Sequence, residues 1–119
     1  MADTTRSPRH SDYGCSEGCP VEATLEIIGG KWKGVILYHL LKETLRFSEL
    51  KRAAGAITQR TLTKQLRELE ADGLVIRKVY PVVPPKVEYS LTEKGQSLAP
   101  VIQSLEQWGR QNAIPALAS

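Results

Sequence analysis

The amino-acid sequence predicts an α+β fold that is mainly helical and contains one β-hairpin, on three observations. Five segments between residues 20 and 108 place apolar residues at helical spacing. Two of them, residues 48–54 and 58–72, are separated by a short turn that contains Gly55. Two strand-like runs follow, at residues 75–80 and 86–91. This order predicts a winged helix-turn-helix domain, with further helices at both ends that we expect to form a dimer.

Length and composition indicate one globular domain. The chain has 119 residues, of which 41% are hydrophobic and 24% are charged. No run approaches the roughly 18–20 apolar residues of a membrane span, and the first 14 residues lack the apolar region of a secretion signal. We therefore expect a cytoplasmic protein that does not bind membranes. In the cytoplasm, Cys15 and Cys19 are expected to be thiols rather than a permanent disulfide.

Positive charge is concentrated in the middle of the chain. The net charge is +3, but residues 46–86 contain nine Lys and Arg residues and only four acidic residues. This segment therefore carries +5 and the remainder −2. A basic segment between slightly acidic flanks favours a module that binds a polyanion.

Two helices are predicted before the basic segment. Residues 1–14 are polar and aperiodic, which predicts a flexible arm ahead of a domain at residues 15–113; residues 114–119 are expected to be flexible as well. Pro20 suits the first position of a helix that Gly29 and Gly30 end. The next helix, near residues 31–42, is apolar on most sides and is therefore expected to be central and buried.

The segment at residues 57–75 is the main candidate for a binding helix. Ser48 is expected to cap the short helix that precedes it, and Thr58 to cap the helix itself. Leu62, Leu66 and Leu69 share one stripe of this helix. Arg60, Lys64 and Arg67 lie almost opposite. One face therefore suits a core, and the other suits an anionic partner.

The end of the chain predicts a hairpin followed by helix. Three prolines in the five residues 81–85 predict an extended, stiff tip rather than a tight turn. Thr92 is expected to cap the last helical region, which Pro100 either kinks or restarts. An apolar stripe follows it: Leu98, Val101, Ile102, Leu105 and Trp108.

Three parts of the chain are candidates for contact with double-stranded DNA. N-terminal residues of a recognition helix face base edges in the major groove, where Arg and Gln can read guanine and adenine. The start of the short helix can hold a phosphate, and the strands beside the proline tip can reach the backbone. Because strand residues alternate, Arg77 and Lys78 lie on opposite faces of the hairpin. We therefore prefer Lys78, together with Lys86, as the contacts with the DNA backbone. The candidates are Ser48, Lys51, Gln59, Arg60, Thr61, Thr63, Lys64, Arg67, Lys78 and Lys86.

A two-fold dimer through the first and last helices is expected. A winged core of about 60–70 residues is too small to cover the apolar residues of both helices. The alternative is that the last helix packs only on its own domain. The predicted interface residues are Val21, Leu25, Val101, Ile102, Leu105 and Trp108.

The sequence resembles the HxlR-type transcriptional regulators, which are winged-helix proteins related to the MarR repressors. The matching stretches are CPVEATLEIIGGKWKGVILYHLL from Cys19, RFSELKRAAGAITQRTLTKQLRELEADGLVIRKVY from Arg46 and VEYSLTEKGQSLAPVIQSLEQWG from Val87. The resemblance implies a homodimeric, sequence-specific DNA-binding repressor or activator. Several such proteins use a cysteine at the position of Cys19 to sense oxidants or electrophiles.

Cys19 therefore has two interpretations. It precedes Pro20 at a helix N-terminus, where the helix dipole favours a thiolate, and it could pair with Cys15 or across the dimer. The alternative is a small buried residue under the first helix. A metal site formed by His10, Cys15, Cys19 and His39 matches no standard zinc spacing, so no metal or cofactor is predicted.

Other functions fit less well. The chain contains no nucleophile–base–acid set and no glycine-rich phosphate loop, so we do not expect an enzyme. A winged helix can also bind proteins, although such a face would normally expose more aromatic residues than this helix has. A regulator that responds to a small molecule without thiol sensing is the remaining alternative.

Overall fold

The structure of the protein is a computed structural model that describes residues 19–114. The predictions about the N-terminal arm, Cys15, His10 and residues 115–119 lie outside the described residues. The helices are α1 (Pro20–Ile28), α2 (Lys33–Lys42), α3 (Phe47–Ala54), α4 (Gln59–Ala71), α5 (Glu93–Gln96) and α6 (Ala99–Trp108), followed by a π-helical turn, Gly109–Ala113. The strands are β1 (Leu45–Arg46), β2 (Val75–Tyr80) and β3 (Lys86–Leu91).

The three strands form one antiparallel sheet in the order β1-β3-β2. Tyr80 pairs with Lys86 next to the connecting turn of the hairpin, and Val75 pairs with Leu91 at its base. β1 adds a short third strand, with Leu45 opposite Tyr89. The hairpin is the predicted wing, and the residues that join its strands are the predicted proline-rich tip.

The core lies between α2, α4 and the base of the sheet. Ile36 and Leu37 of α2 are fully buried, which confirms the prediction of a central helix. α4 contributes the predicted leucine stripe, and its three members are at most 1% exposed. Burial of each such side chain stabilises the fold by about 1.5–3 kcal/mol. The core residues are Ile28, Ile36, Leu37, Leu40, Leu50, Ile57, Leu62, Leu66, Leu69, Leu74, Val75, Tyr89, Leu91 and Ile102.

Two of the three predicted helix caps are confirmed. The Thr58 hydroxyl oxygen accepts a hydrogen bond from the Thr61 N–H at 3.1 Å, and α4 begins there. The Thr92 hydroxyl oxygen accepts one from the Gly95 N–H at 3.0 Å. The prediction for Ser48 is wrong, because α3 begins one residue earlier, at Phe47.

The true start of α3 is held by a carboxylate. The N–H of Arg46, the residue that precedes the helix, donates a hydrogen bond to Oε1 of Glu49 at 2.8 Å. This is the backward half of a capping box, in which an acidic side chain in the first turn binds the N–H of the N-cap residue. Ser48 therefore lies inside the first turn of α3.

The apolar stripe of the last helix divides between two faces. Ile102 is 3% exposed and packs in the core of its own domain, whereas Leu105 and Trp108 are 54% and 65% exposed. The prediction that Ile102 contributes to a dimer interface is therefore wrong, because its side chain is already covered. Pro100 lies in the first turn of α6, so the helical region restarts there rather than bending.

Candidate nucleic-acid interface

The outward face of α4 presents a cluster of cations. Arg60, Lys64 and Arg67 are exposed, and they lie on the side of α4 opposite its buried leucines. With three neighbours they surround an open surface depression of about 710 Å³. We call this surface the basic face; its residues are Gln59, Arg60, Thr63, Lys64, Arg67 and Glu68. The structure thus brings together five of the predicted contacts from one helix.

Two threonines of α4 have their hydroxyl groups engaged within the helix. Thr61 is half-buried, and its hydroxyl oxygen accepts a hydrogen bond from the Thr58 hydroxyl at 2.9 Å. The Thr63 hydroxyl donates to the carbonyl oxygen of Gln59 at 2.9 Å, and its oxygen can still accept. Thr61 therefore belongs to the helix cap, and Thr63 lines the basic face.

Ser48 and Lys51 lie on α3, the first helix of the helix-turn-helix. Ser48 is exposed in the first turn, where backbone N–H groups are not used within the helix. Lys51 lies three residues later and is half-buried. The first turn of a helix favours an anion, and a nearby lysine strengthens that preference.

Lys78 and Lys86 lie on the same face of the wing. Their Nζ atoms are 4.9 and 4.8 Å from the centre of the Tyr80 ring. Lys86 also forms an ion pair with Glu88 at 3.3 Å. Arg77 pairs with Tyr89 on β3, on the other face of the hairpin. Both ammonium groups therefore contact the same ring, which gathers positive charge on this face of the wing.

Arg46 joins this wing surface, and sequence reasoning did not identify it. Arg46 pairs with Glu88, which pairs in turn with Lys78, so the three side chains form one row across the sheet. Desolvation raises the pKa of Glu88, but hydrogen bonds from Tyr80 and Lys86 and the charges of Lys86 and Arg46 outweigh it and lower the pKa below its ordinary value. The carboxylate is therefore charged near neutral pH. The signal for Arg46 was its position on a short strand, which matters only once β1 is known to pair with β3.

A second ion pair lies behind the basic face. The Nζ atom of Lys33, at the start of α2, is 2.7 Å from Oε1 of Glu68 on α4. The lysine side chain is only 9% exposed, whereas the glutamate side chain is 39% exposed. Nothing in the sequence distinguishes Lys33 from its exposed neighbour Lys31, so this contact was not predicted.

Cys19 occupies the N-cap position of α1. Its backbone is extended, and its carbonyl oxygen accepts the first helical hydrogen bond, from the Ala23 N–H at 2.8 Å. The side chain is half-buried.

Of the other residues considered for a metal site, His39 is half-buried in α2, where burial and the charge of Lys42 lower its pKa. Residues 19–114 hold no cluster of three or more potential metal ligands.

Several apolar side chains on the first and last helices face outward. Those of α1 are Val21 and Leu25, which are 67% and 58% exposed. Those of α6 are Val101, Leu105 and Trp108, and the last of these is 65% exposed. A Trp exposed to this extent is unusual on the surface of a monomer and typical of an interface.

Within the described residues, no helix is both long and apolar enough to cross a membrane.

The fold and the basic face define a winged helix-turn-helix, DNA-binding transcriptional regulator, which is not an enzyme. Comparison with known proteins gives the family. The family model described as "HxlR-like helix-turn-helix" matches residues 27–116, and the chain belongs to this family.

Curated and solved relatives agree with this assignment. The uncharacterized HTH-type transcriptional regulator YybR of Bacillus subtilis is 56% identical over 106 residues, which are 89% of this chain and 85% of YybR. The redox regulator HypR in its reduced form is 53% identical, with a TM-score of 0.77 over 85% of this chain and all of HypR. The reduced form of the transcriptional regulator YodB of B. subtilis is 38% identical, with a TM-score of 0.70 over 82% of this chain and 96% of YodB.

Proposed function

We propose that this protein is a homodimeric repressor that binds a specific operator in double-stranded DNA through α4. The observation that carries this proposal is the basic face, three exposed cations on a helix whose opposite side is fixed in the core. A helix anchored in this way presents its outer residues in a fixed orientation, as sequence readout in the major groove requires. Repression follows from occupancy, because a protein that covers a promoter excludes the polymerase. Because promoter DNA lies inside the cell, we propose that the protein acts in the cytoplasm.

Each part of the interface has a proposed role. Gln59 and Arg60, at the N-terminal end of α4, contact base edges, and Lys64 contacts bases or the adjoining phosphate. Arg67, a turn further along, contacts phosphate. Lys78 and Lys86 hold the backbone from the wing. Ser48 and Lys51, which lie on α3, bind a phosphate oxygen.

The exposed residues of α1 and α6 support the homodimer. A two-fold axis through this apolar surface would bury the same residues on both protomers, as an isologous interface does. The two copies of α4 would then meet half-sites one helical turn apart, about 34 Å between centres. The operator is accordingly expected to be a near-palindrome.

We further propose that oxidation at Cys19 releases the DNA. The N-cap position places the sulfur close to the positive end of the α1 dipole, which favours the reactive thiolate. α1 carries part of the proposed dimer surface, so a disulfide at Cys19 would change the relative position of the two recognition helices. The similarity to HypR, a redox regulator, supports this proposal.

The DNA-binding proposal is tested by fluorescence anisotropy with DNA from upstream of the protein's own gene. We expect tight binding of the reduced protein that survives excess random-sequence competitor and weakens steeply with salt. Binding no tighter than to random DNA would contradict an operator in that region. Absence of salt-dependent binding to any duplex would contradict the assignment of the basic face and favour a protein-docking winged helix.

The redox proposal is tested in the same assay after treatment with diamide. We expect the treated wild-type protein to lose operator binding and a reductant to restore it. Cys19→Ser should bind but not respond to diamide, and Cys15→Ser shows whether the second cysteine supplies the disulfide partner. A response that persists in Cys19→Ser would contradict the proposal. Insensitivity of the wild-type protein would favour a small-molecule effector instead.

A further inference from the structure

The Lys33–Glu68 ion pair carries a large desolvation penalty. The lysine side chain is 9% exposed, so its ammonium group has lost most of its hydration. Removing a charge from water carries a penalty that the partner's attraction often fails to repay, and an apolar pair of similar size is frequently as stable. The contact therefore calls for an explanation other than the stability of the fold.

The position of Glu68 suggests that explanation. Glu68 lines the basic face together with Lys64 and Arg67. It follows Lys64 by four residues on α4, a spacing at which oppositely charged helical side chains form ion pairs. An unrestrained carboxylate here would pair with Lys64, and it would also repel a phosphate. Either effect would weaken the binding of an anionic polymer.

Lys33 approaches Glu68 from the inner side of the helix. It is the first residue of α2, and its Nζ lies 2.7 Å from Oε1 of Glu68, from a position almost closed to solvent. A contact of this length between charged groups is a strong, charge-assisted hydrogen bond. Because Lys33 is buried, it draws the carboxylate away from the outer cations without itself facing the ligand.

We propose that Lys33 is a positioning residue that sequesters the Glu68 carboxylate and so leaves Lys64 available to phosphate. This inference rests on the proposed function and deepens it, since it assigns a DNA-affinity role to a residue that cannot touch DNA. When Lys33 is removed, Glu68 pairs with Lys64 instead, and one phosphate contact per protomer is lost.

The test measures how the affinity for a duplex of about 30 base pairs with random sequence depends on salt. Each phosphate contact contributes about −0.9 to the slope of log K against log salt concentration. Lys33→Met should reduce the magnitude of the slope by about one per bound protomer. The double variant Lys33→Met with Glu68→Gln should recover the wild-type slope, because no carboxylate remains to neutralise a cation.

The double variant separates this role from a merely structural one. If Lys33 only holds α4 in place, removal of both partners leaves the helix untied, and the slope stays reduced. That result, or an unchanged slope in Lys33→Met, overturns the proposal. Glu70→Gln is the matched control, since it removes the same charge from the same helix away from the basic face, and we expect it not to restore the slope when combined with Lys33→Met.

A further variant keeps the test decisive if Lys33→Met does not fold. Lys33→Gln is that variant: its amide carries no charge and reaches less far than the lysine ammonium group, so the slope should again fall by about one per bound protomer. An unchanged slope in Lys33→Gln would overturn the proposal. Wild-type protein that binds no duplex in a salt-dependent manner would overturn the proposed function as well, and is thus distinguishable from failure of the ion-pair proposal alone.

Discussion

Gly95 lies so close to the carbonyl oxygen of Leu74 that a β-carbon at residue 95 would overlap that oxygen. The approach joins the end of the recognition helix to the start of the last helical region. Around it, the Thr92 hydroxyl donates to the Gly73 carbonyl oxygen at 2.6 Å, and the Lys94 ammonium donates to the Asp72 carbonyl oxygen at 3.0 Å. The stretches ADGL and LTEKG, far apart in sequence, are thus two halves of one junction at the base of the wing.

Gly95→Ala should destabilise the domain, because the added methyl group forces this junction apart. Overpacking of this kind costs about 1–3 kcal/mol, although alanine is otherwise the better helix residue. Urea denaturation followed by circular dichroism measures the loss. The matched control is Gly109→Ala, where a β-carbon would meet nothing within 4 Å and the backbone is helical. We expect that variant to gain about 0.5–1 kcal/mol; equal effects of the two substitutions would contradict the importance of the close approach.

Arg60→Ala and Arg67→Ala should weaken DNA binding in different ways. Arg60 lies at the start of α4, where a side chain reaches base edges, so its loss should cost about 1–3 kcal/mol for the operator and less for random DNA. Arg67→Ala should weaken both complexes equally and reduce the salt slope by about one. Competition anisotropy over a salt series distinguishes the two.

Arg52→Ala provides the control for this pair. Arg52 is exposed on α3 and lines a separate surface depression with His39 and Glu43, away from the basic face. Its removal changes the net charge by the same amount. A loss of operator affinity as large as that of Arg60→Ala would mean that overall charge, rather than base contact, determines binding.

The elements themselves were predictable from the sequence because their signals are local. The strands at residues 75–80 and 86–91 were predicted with the limits that the structure shows, because apolar runs end at a glycine or a proline cluster. The leucine stripe of α4 was equally clear, since residues four and seven apart must share a face of a helix. Caps at Thr58 and Thr92 follow from side-chain chemistry within one turn.

What could not be predicted depends on how one element is rotated against another. Periodicity groups Ile102 with Val101 and Leu105, but only the packing of α6 on α2 decides that Ile102 faces the core. The partnership of Lys33 with Glu68 likewise joins residues 35 positions apart. Arg46 became part of the wing only through the pairing of β1 with β3. Ser48 was misplaced because a carboxylate from within the helix, Glu49, took the capping role.

The stability of the domain should depend on Glu106 in acid. Hydrogen bonds from Arg110 at 2.8 Å and from the Tyr38 hydroxyl at 3.0 Å lower the pKa of Glu106 below its ordinary value of 4.5, against the opposing effect of desolvation. A lowered pKa in the folded state means that the charged form stabilises the fold. This contribution is fully present above about pH 4.5 and is lost as the pH falls through the lower, folded-state pKa.

The variant Glu106→Gln isolates this effect. Urea denaturation from about pH 7 to about pH 3 should show a constant difference from wild type near neutrality that shrinks in acid. Tyr38→Phe removes one of the hydrogen-bond donors to Glu106. Its difference in stability from wild type should also shrink in acid, but by less than that of Glu106→Gln. A difference between wild type and Glu106→Gln that is independent of pH would contradict the lowered pKa.

Trp108→Ser should dissociate the proposed dimer without unfolding the domain. Trp108 is 65% exposed on the single chain, so its removal creates no cavity in the core, whereas a Trp at the centre of an interface commonly contributes 2 kcal/mol or more by rough estimate. Sedimentation over a range of concentrations should show the dimer dissociation constant raised by about 30-fold or more. Val83→Ser is the control, because Val83 is 99% exposed at the tip of the wing and belongs to neither α1 nor α6. Dissociation in both variants, or in neither, would contradict a dimer built on α1 and α6, and DNA binding would then have to be explained by another arrangement of the two recognition helices.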